Sequence, residues 1–149
     1  MNELQAFDDR LSALINNLSP QSRKQMASAI AKRLRASQQQ NIKRQQAPDG
    51  TPFTPRKRPP LRAKKGRVKR EMFAKLRTAK YLKAKGNSDD AAVQFTGNVQ
   101  RMARVHHYGL RDRATRGGKD IQYDARPLLG LREEDIQMIS NVIFAKLST

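Results

Sequence analysis

Few residues in this 149-residue chain have types and spacing suited to chemistry: the pair His106-His107, the acids Asp89-Asp90 and Glu133-Glu134-Asp135, and a dense run of arginine and lysine. Two histidines could offer a metal site or a general base. A metal needs several converging ligands, however, and the chain has no cysteine and no third histidine. Adjacent helical residues also point about 100° apart, so a metal site would need carboxylates brought from elsewhere in the chain. The expected arrangement is a half-buried His106 and an exposed His107. Asp89 and Asp90 fall in the turn 86–90, and Glu133, Glu134 and Asp135 sit where carboxylates favour the positive end of a helix. No catalytic residue, cofactor-binding residue or metal ligand is therefore assigned. No cofactor or small-molecule substrate is expected, and the chain does not read as an enzyme.

The basic run is the stronger signal. Residues 1–22 carry three acids and one base. Residues 23–85 carry 21 bases and two acids, a net +19, while residues 86–149 hold nine bases and eight acids. Within the Pro-rich segment 48–70, Arg56, Lys57, Arg58, Arg62, Lys64, Lys65, Arg67, Lys69 and Arg70 stand without an intervening acid. Such a group neutralises phosphates regardless of base sequence, or grips an acidic protein surface. Those nine residues are the candidate polyanion- or partner-binding set. No recognition helix, zinc finger or repeated aromatic platform supports base-specific readout. Phe53 is an aromatic in a segment that otherwise cannot form a core; it can anchor the segment on a neighbouring subunit or fold back on its own domain.

The elements that position these residues follow from periodicity. Leu4, Phe7, Leu11, Leu14 and Leu18 form a 3,4-spaced seam, predicting a first helix to about Asn17. Ser19-Pro20 is a cap followed by a first-turn proline and opens a second helix. Its stripe of Met26, Ala27, Ile30, Ala31, Leu34 and Ile42 is expected to pack as an antiparallel hairpin on the first. Pro48-Asp49-Gly50 ends it, and 48–70 is expected to be a flexible loop. Met72, Phe73 and Leu76 predict a helical turn; 81–85 and 92–96 predict strands; 111–119 predicts a charged turn; Ile121 and Tyr123 predict a third strand. A short helix from Gly97 should bury Val99, Met102, Ala103 and His106 and end at Gly109, and a last helix should bury Ile136, Ile139, Val142, Ile143 and Leu147. The expectation is α+β in one domain, 1–149: a helical hairpin (1–47), the basic loop (48–70), and a core (71–149) with a small antiparallel sheet, short helices and a C-terminal helix.

Hydrophobic residues are 37% of the chain, aromatics 5%, Trp is absent and mean hydropathy is −0.83, so the core must be thin and self-association is a reasonable expectation. Acids near the start oppose a signal peptide, and no apolar run is long enough to cross a membrane.

The order of the pieces is also informative: a basic helix, Pro48-Asp49-Gly50-Thr51-Pro52-Phe53 with Pro55-Arg56-Lys57, Met72-Phe73, a Gly97-led helix through His106, Tyr108 and Gly109, then Arg126-Pro127-Leu128-Leu129-Gly130-Leu131 before a helix with Asp135. Over nearly the whole chain this resembles the phage virion morphogenesis family of contractile-tailed temperate phages. The resemblance implies a non-catalytic structural protein that acts late in tail assembly, in tail completion or head-to-tail joining. It further implies a homo-oligomer, a hexameric ring being favoured, with other tail or neck proteins as partners and virion DNA in the channel. The implied locations are the host cytoplasm during assembly and then the virion tail or neck. In that frame Gly50 and Pro52 shape the loop, Gly109 ends a helix and Arg126-Pro127 sets the approach to the last helix. The alternative from charge alone is a sequence-independent nucleic-acid-binding protein.

Overall fold

The computed structural model describes residues 2–56, 71–113 and 117–148. The elements run α1 (Asn2–Asn16), α2 (Pro20–Lys43), β1 (Leu82–Gly86), β2 (Ala91–Phe95), α3 (Gly97–Tyr108), β3 (Arg111–Arg113), β4 (Asp120–Gln122) and α4 (Glu133–Leu147). The fold is α+β, as the periodicities predict. Its strands form two separate two-stranded sheets, β1-β2 and β3-β4, rather than one. Two compact units result: residues 1–34, 84–93 and 133–149 form the first, and 35–83 with 94–132 form the second.

In the first unit, Ser19 Oγ accepts the Ser22 amide at 3.1 Å, the N-cap expected of Ser19-Pro20. The Arg23 guanidinium fastens the corner before α2, donating to the carbonyls of Asn16 and Leu18 at 3.2 Å each and of Ser88 at 3.0 Å. Met26, Ala27, Ile30 and Ala31 are buried, as their stripe requires. The β1-β2 turn is an Asx turn: Asn87 Oδ1 accepts the amides of Asp89 and Asp90 at 2.8 Å each. Its four-residue link leaves no room for a crossover, so the pair is antiparallel.

The expected burial of two helix faces is corrected. No residue of α1 is buried, and Leu4, Phe7 and Leu14 are 74%, 55% and 47% exposed. In α4 the only buried residue is Asp135; Ile136 is half exposed, and Ile139, Val142, Ile143 and Leu147 are intermediate. An apolar period marks a face that gains from being covered, but it does not guarantee that the same chain supplies the cover.

In the second unit, Ile42 and Leu128 are completely buried and Leu76 nearly so. The segment before α4 is strapped to the end of α2 by amide side chains. Gln38 donates to Gly130 O at 2.8 Å and accepts the Gly130 amide at 3.1 Å, and Arg132 donates to Asn41 Oδ1 at 3.1 Å. The α3 helix follows Thr96 and ends at Gly109, whose φ of +68° is left-handed; the Gly109 and Leu110 amides both reach Val105 O. Its buried face is Val99, Ala103 and Val105; the expected Met102 is 46% exposed. Residues 111–113 are a strand rather than a turn, pairing antiparallel with β4 through Asp112 opposite Ile121. This pair is held by backbone bonds and is exposed on most of its side chains, so it leaves no alternating apolar signal. The expected helical turn at 72–76 is a series of turns instead, since Phe73 takes a φ of +64°.

A Cβ on Gly86 would lie 2.7 Å from Ser28 Cα and closer still to the Ser28 amide nitrogen, so only glycine lets β1 approach α2 here. Gly86→Ala should cost about 1–3 kcal/mol or more by overpacking backbone against backbone, read as a lower urea midpoint with unchanged slope.

Candidate functional site

The basic segment emerges from a clasp built on Gln45, which lies just past α2 with φ +57°. Gln45 O accepts the Phe53 amide at 2.8 Å. Its side chain accepts the Met72 amide at 2.9 Å and donates to Met72 O at 2.9 Å. One residue therefore bonds the chain on both sides of residues 54–71. A tight reversal leads into the clasp: Gln46 bridges Pro52, the Ala47 amide donates to Thr51 O at 2.8 Å, and the Thr51 amide reaches Asp49 Oδ1 at 2.9 Å. That last bond is the leading reason the Asp49 carboxyl lies below its ordinary range.

Phe53 is 6% exposed and meets Phe73 edge-on with centroids 5.7 Å apart. The ring is thus packed within its own unit. The aromatic contacts continue from Phe73 to His106 at 5.2 Å and from His106 to Tyr123 at 4.7 Å. This packing holds Phe73 in its left-handed conformation, which is strained for a bulky side chain.

Arg126 is 94% buried, with 6% of its surface exposed. It donates from Nε to Thr54 O at 2.7 Å and from a terminal nitrogen to Pro55 O at 3.2 Å, and its amide donates to His106 O at 2.8 Å. Among the described residues no carboxylate forms an ion pair with it. Arg126 thus fixes the backbone just before Arg56, a different job from directing the chain into α4. Of the nine candidate cations, only Arg56 is described, and it is exposed. Lys57, Arg58, Arg62, Lys64, Lys65, Arg67, Lys69 and Arg70 lie outside the described residues.

Arg56, Phe73, His106, Tyr123 and Arg126 line a cleft of about 440 Å³. Its lining combines apolar ring faces with Arg56 and Asp124, while the Arg126 guanidinium is committed to the Thr54 and Pro55 carbonyls. Burial, then the Arg126 charge, lowers the His106 pKa against an opposing influence from Asp112. His107 is half-buried rather than exposed; its Nδ1 accepts the Leu128 amide at 3.0 Å, and burial lowers its pKa too. Both imidazoles are thus held neutral, one by ring packing and one as a backbone acceptor. Among the described residues no group of three or more His, Cys, Asp or Glu could hold a metal, and no helix is long and apolar enough to cross a membrane.

Sequence reasoning missed Gln38, Asn41 and Gln45 as structural polar residues, and it gave Arg126 a place at the approach to the last helix without its bonds to Thr54 and Pro55. For Arg126 a signal existed: a lone cation leading the apolar run Pro127-Leu128-Leu129. The glutamines, set in a Gln-rich run, carried none.

A model of the phage virion morphogenesis family matches residues 2–148. The chain belongs to that family. It is 47% identical over 148 residues to the tail completion protein S of Escherichia phage P2, covering 99% of each chain. No solved structure matches. The clasp thus sits in a family member whose match runs on both sides of the basic segment and through it.

Replacing Gln45 by Ala strands the Met72 amide and carbonyl and should lower stability by about 1–3 kcal/mol, measured by urea unfolding at pH 7.5. The histidines set a pH window. Their folded pKa values lie below the unfolded 6.5, so their contribution is complete above about pH 6.5 and is lost as pH falls through the folded values. Stability should therefore decline as pH falls below about 6.5, with a shallower decline in His107→Asn, whose amide oxygen can still accept the Leu128 N–H. An unchanged slope in that variant would show that His107 does not contribute.

Proposed function

We propose that this chain completes the phage tail at its head-proximal end and permits joining to the DNA-filled head, acting as a structural subunit and not as a catalyst. The observation that carries this reading is the end-to-end relation to the P2 tail completion protein, with 99% of both chains aligned. A role in assembly also gives the charge asymmetry a use. Copies arranged as a ring, six-fold by preference, would gather the +19 of residues 23–85 into a collar of one sign. Such a collar can face DNA in the channel or grip an acidic rim on a neighbouring tail or neck protein. The clasp at Gln45 and Arg126 supports this reading because a group of like charges repels itself and works best when both its ends are held. Assembly would take place in the host cytoplasm, with the product in the virion tail or neck.

Electron micrographs of lysates from a phage lacking the gene provide the test. Full heads beside separate tails, rescued by supplying the protein, are expected; normal particles in normal numbers would overturn the reading. Neutralising Arg58, Lys64, Lys65 and Lys69 to Gln should reduce joined particles while leaving the urea unfolding midpoint unchanged. Sequence-independent nucleic-acid binding, the second reading, rests on the same charge. It predicts tight capture of free duplex or single strands with affinity falling steeply as salt rises.

A further inference from the structure

The first unit leaves two complementary surfaces uncovered in the same chain. One is the α1 seam, where Leu4, Phe7 and Leu14 are exposed and Leu11 and Leu18 only partly covered. Glu3 and Asp8 flank this seam at the positions that adjoin a helix-packing stripe, and residues 1–22 are acidic overall. The other is a pair of shallow grooves, of about 540 and 660 Å³, that share Gln25 and Ala29 on the outer face of α2. Ser28, Ala29 and Ala145 keep their floors small, so a helix bearing large side chains can approach closely. Their cations are Lys24, Lys32, Arg33 and Lys146, and neither groove is lined by an acid.

Lengths match as well as charge. Ten residues of helix separate Leu4 from Leu14, about 15 Å, and twelve separate Gln21 from Arg33 along α2, about 18 Å. We infer that α1 of one copy docks into the α2/α4 groove of a second copy, seam inward, with Glu3 and Asp8 against the basic rim. The contact is heterologous: helix α1 on one subunit meets a different surface on the next, so each subunit still offers a free helix and a free groove. A contact of that kind propagates and closes into a ring when its rotation allows. This inference deepens the assembly role proposed above by naming the surface through which copies of the chain would meet.

The chain has no cysteine, so single introduced thiols are unique labels. Full-length Phe7→Cys and Ala29→Cys proteins, one carrying a size tag, would be mixed and treated with a short thiol-to-thiol cross-linker. The expected product is a covalent pair containing one of each, in large excess over either protein cross-linked to itself. Glu3→Lys with Asp8→Lys on the Phe7→Cys protein should suppress it, and Lys32→Glu with Arg33→Glu on the Ala29→Cys protein should restore it. Three results would each overturn the inference. Phe7→Cys pairing mainly with itself would mean that α1 meets α1. A double Phe7→Cys, Ala29→Cys chain cross-linking only internally, with nothing from the mixture, would mean that α1 covers its own groove. No cross-link in either arrangement would leave the seam to a different protein. The lysate micrographs read tail completion without reference to this surface, so failure here leaves that function standing, and failure there leaves the cross-link result interpretable as plain self-association.

Discussion

Gln45 holds the two ends of the basic segment with neutral groups, a backbone carbonyl for Phe53 and a side-chain amide for Met72. Nine cations without an acid repel one another, so the segment depends on its base being held; there Glu71 pairs with Arg77 at 3.3 Å, and the bonds from Gln45 and Arg126 reach neutral backbone groups. The structure uses amide geometry, a buried ring and the Arg126 guanidinium, which donates to carbonyls instead of seeking a carboxylate. The ends of the segment are thus held mainly by neutral groups, with one buried guanidinium and one acid beside them.

The same economy of charge runs through the second unit. Gln38 satisfies both backbone groups of Gly130, Asn41 receives Arg132, and His107 accepts the Leu128 amide as a neutral imidazole. A buried amide or neutral ring avoids the large desolvation cost of a buried ion while still satisfying the backbone it meets. The strap ahead of α4 and the clasp at Gln45 therefore depend largely on neutral amide side chains, with Arg132 the charged donor in the strap. The first unit is different: its buried stripe on α2 is small, its α1 seam is open, and the apolar face of α4 is only partly covered. Such an economy suits a subunit whose remaining apolar surface is completed by contact with other chains.

Most of the elements are legible in the sequence. The cap at Ser19-Pro20, the α2 stripe, the turn at Asn87 and the left-handed stop at Gly109 are local chemistry, decided within a few residues, and they appear where the spacing puts them. Charge distribution is likewise a property of the sequence alone, and so is family membership, which the order of short motifs already indicated. What the tertiary structure decided depends on distance. That Gln45 meets Met72, that Arg126 meets Thr54, and that Arg111–Arg113 pairs with Asp120–Gln122 are contacts between residues with no shared period and no type that forces the choice. The coverage of α1 and α4 was decided there too, because hydrophobic spacing identifies a face that water disfavours but is silent on what will displace the water.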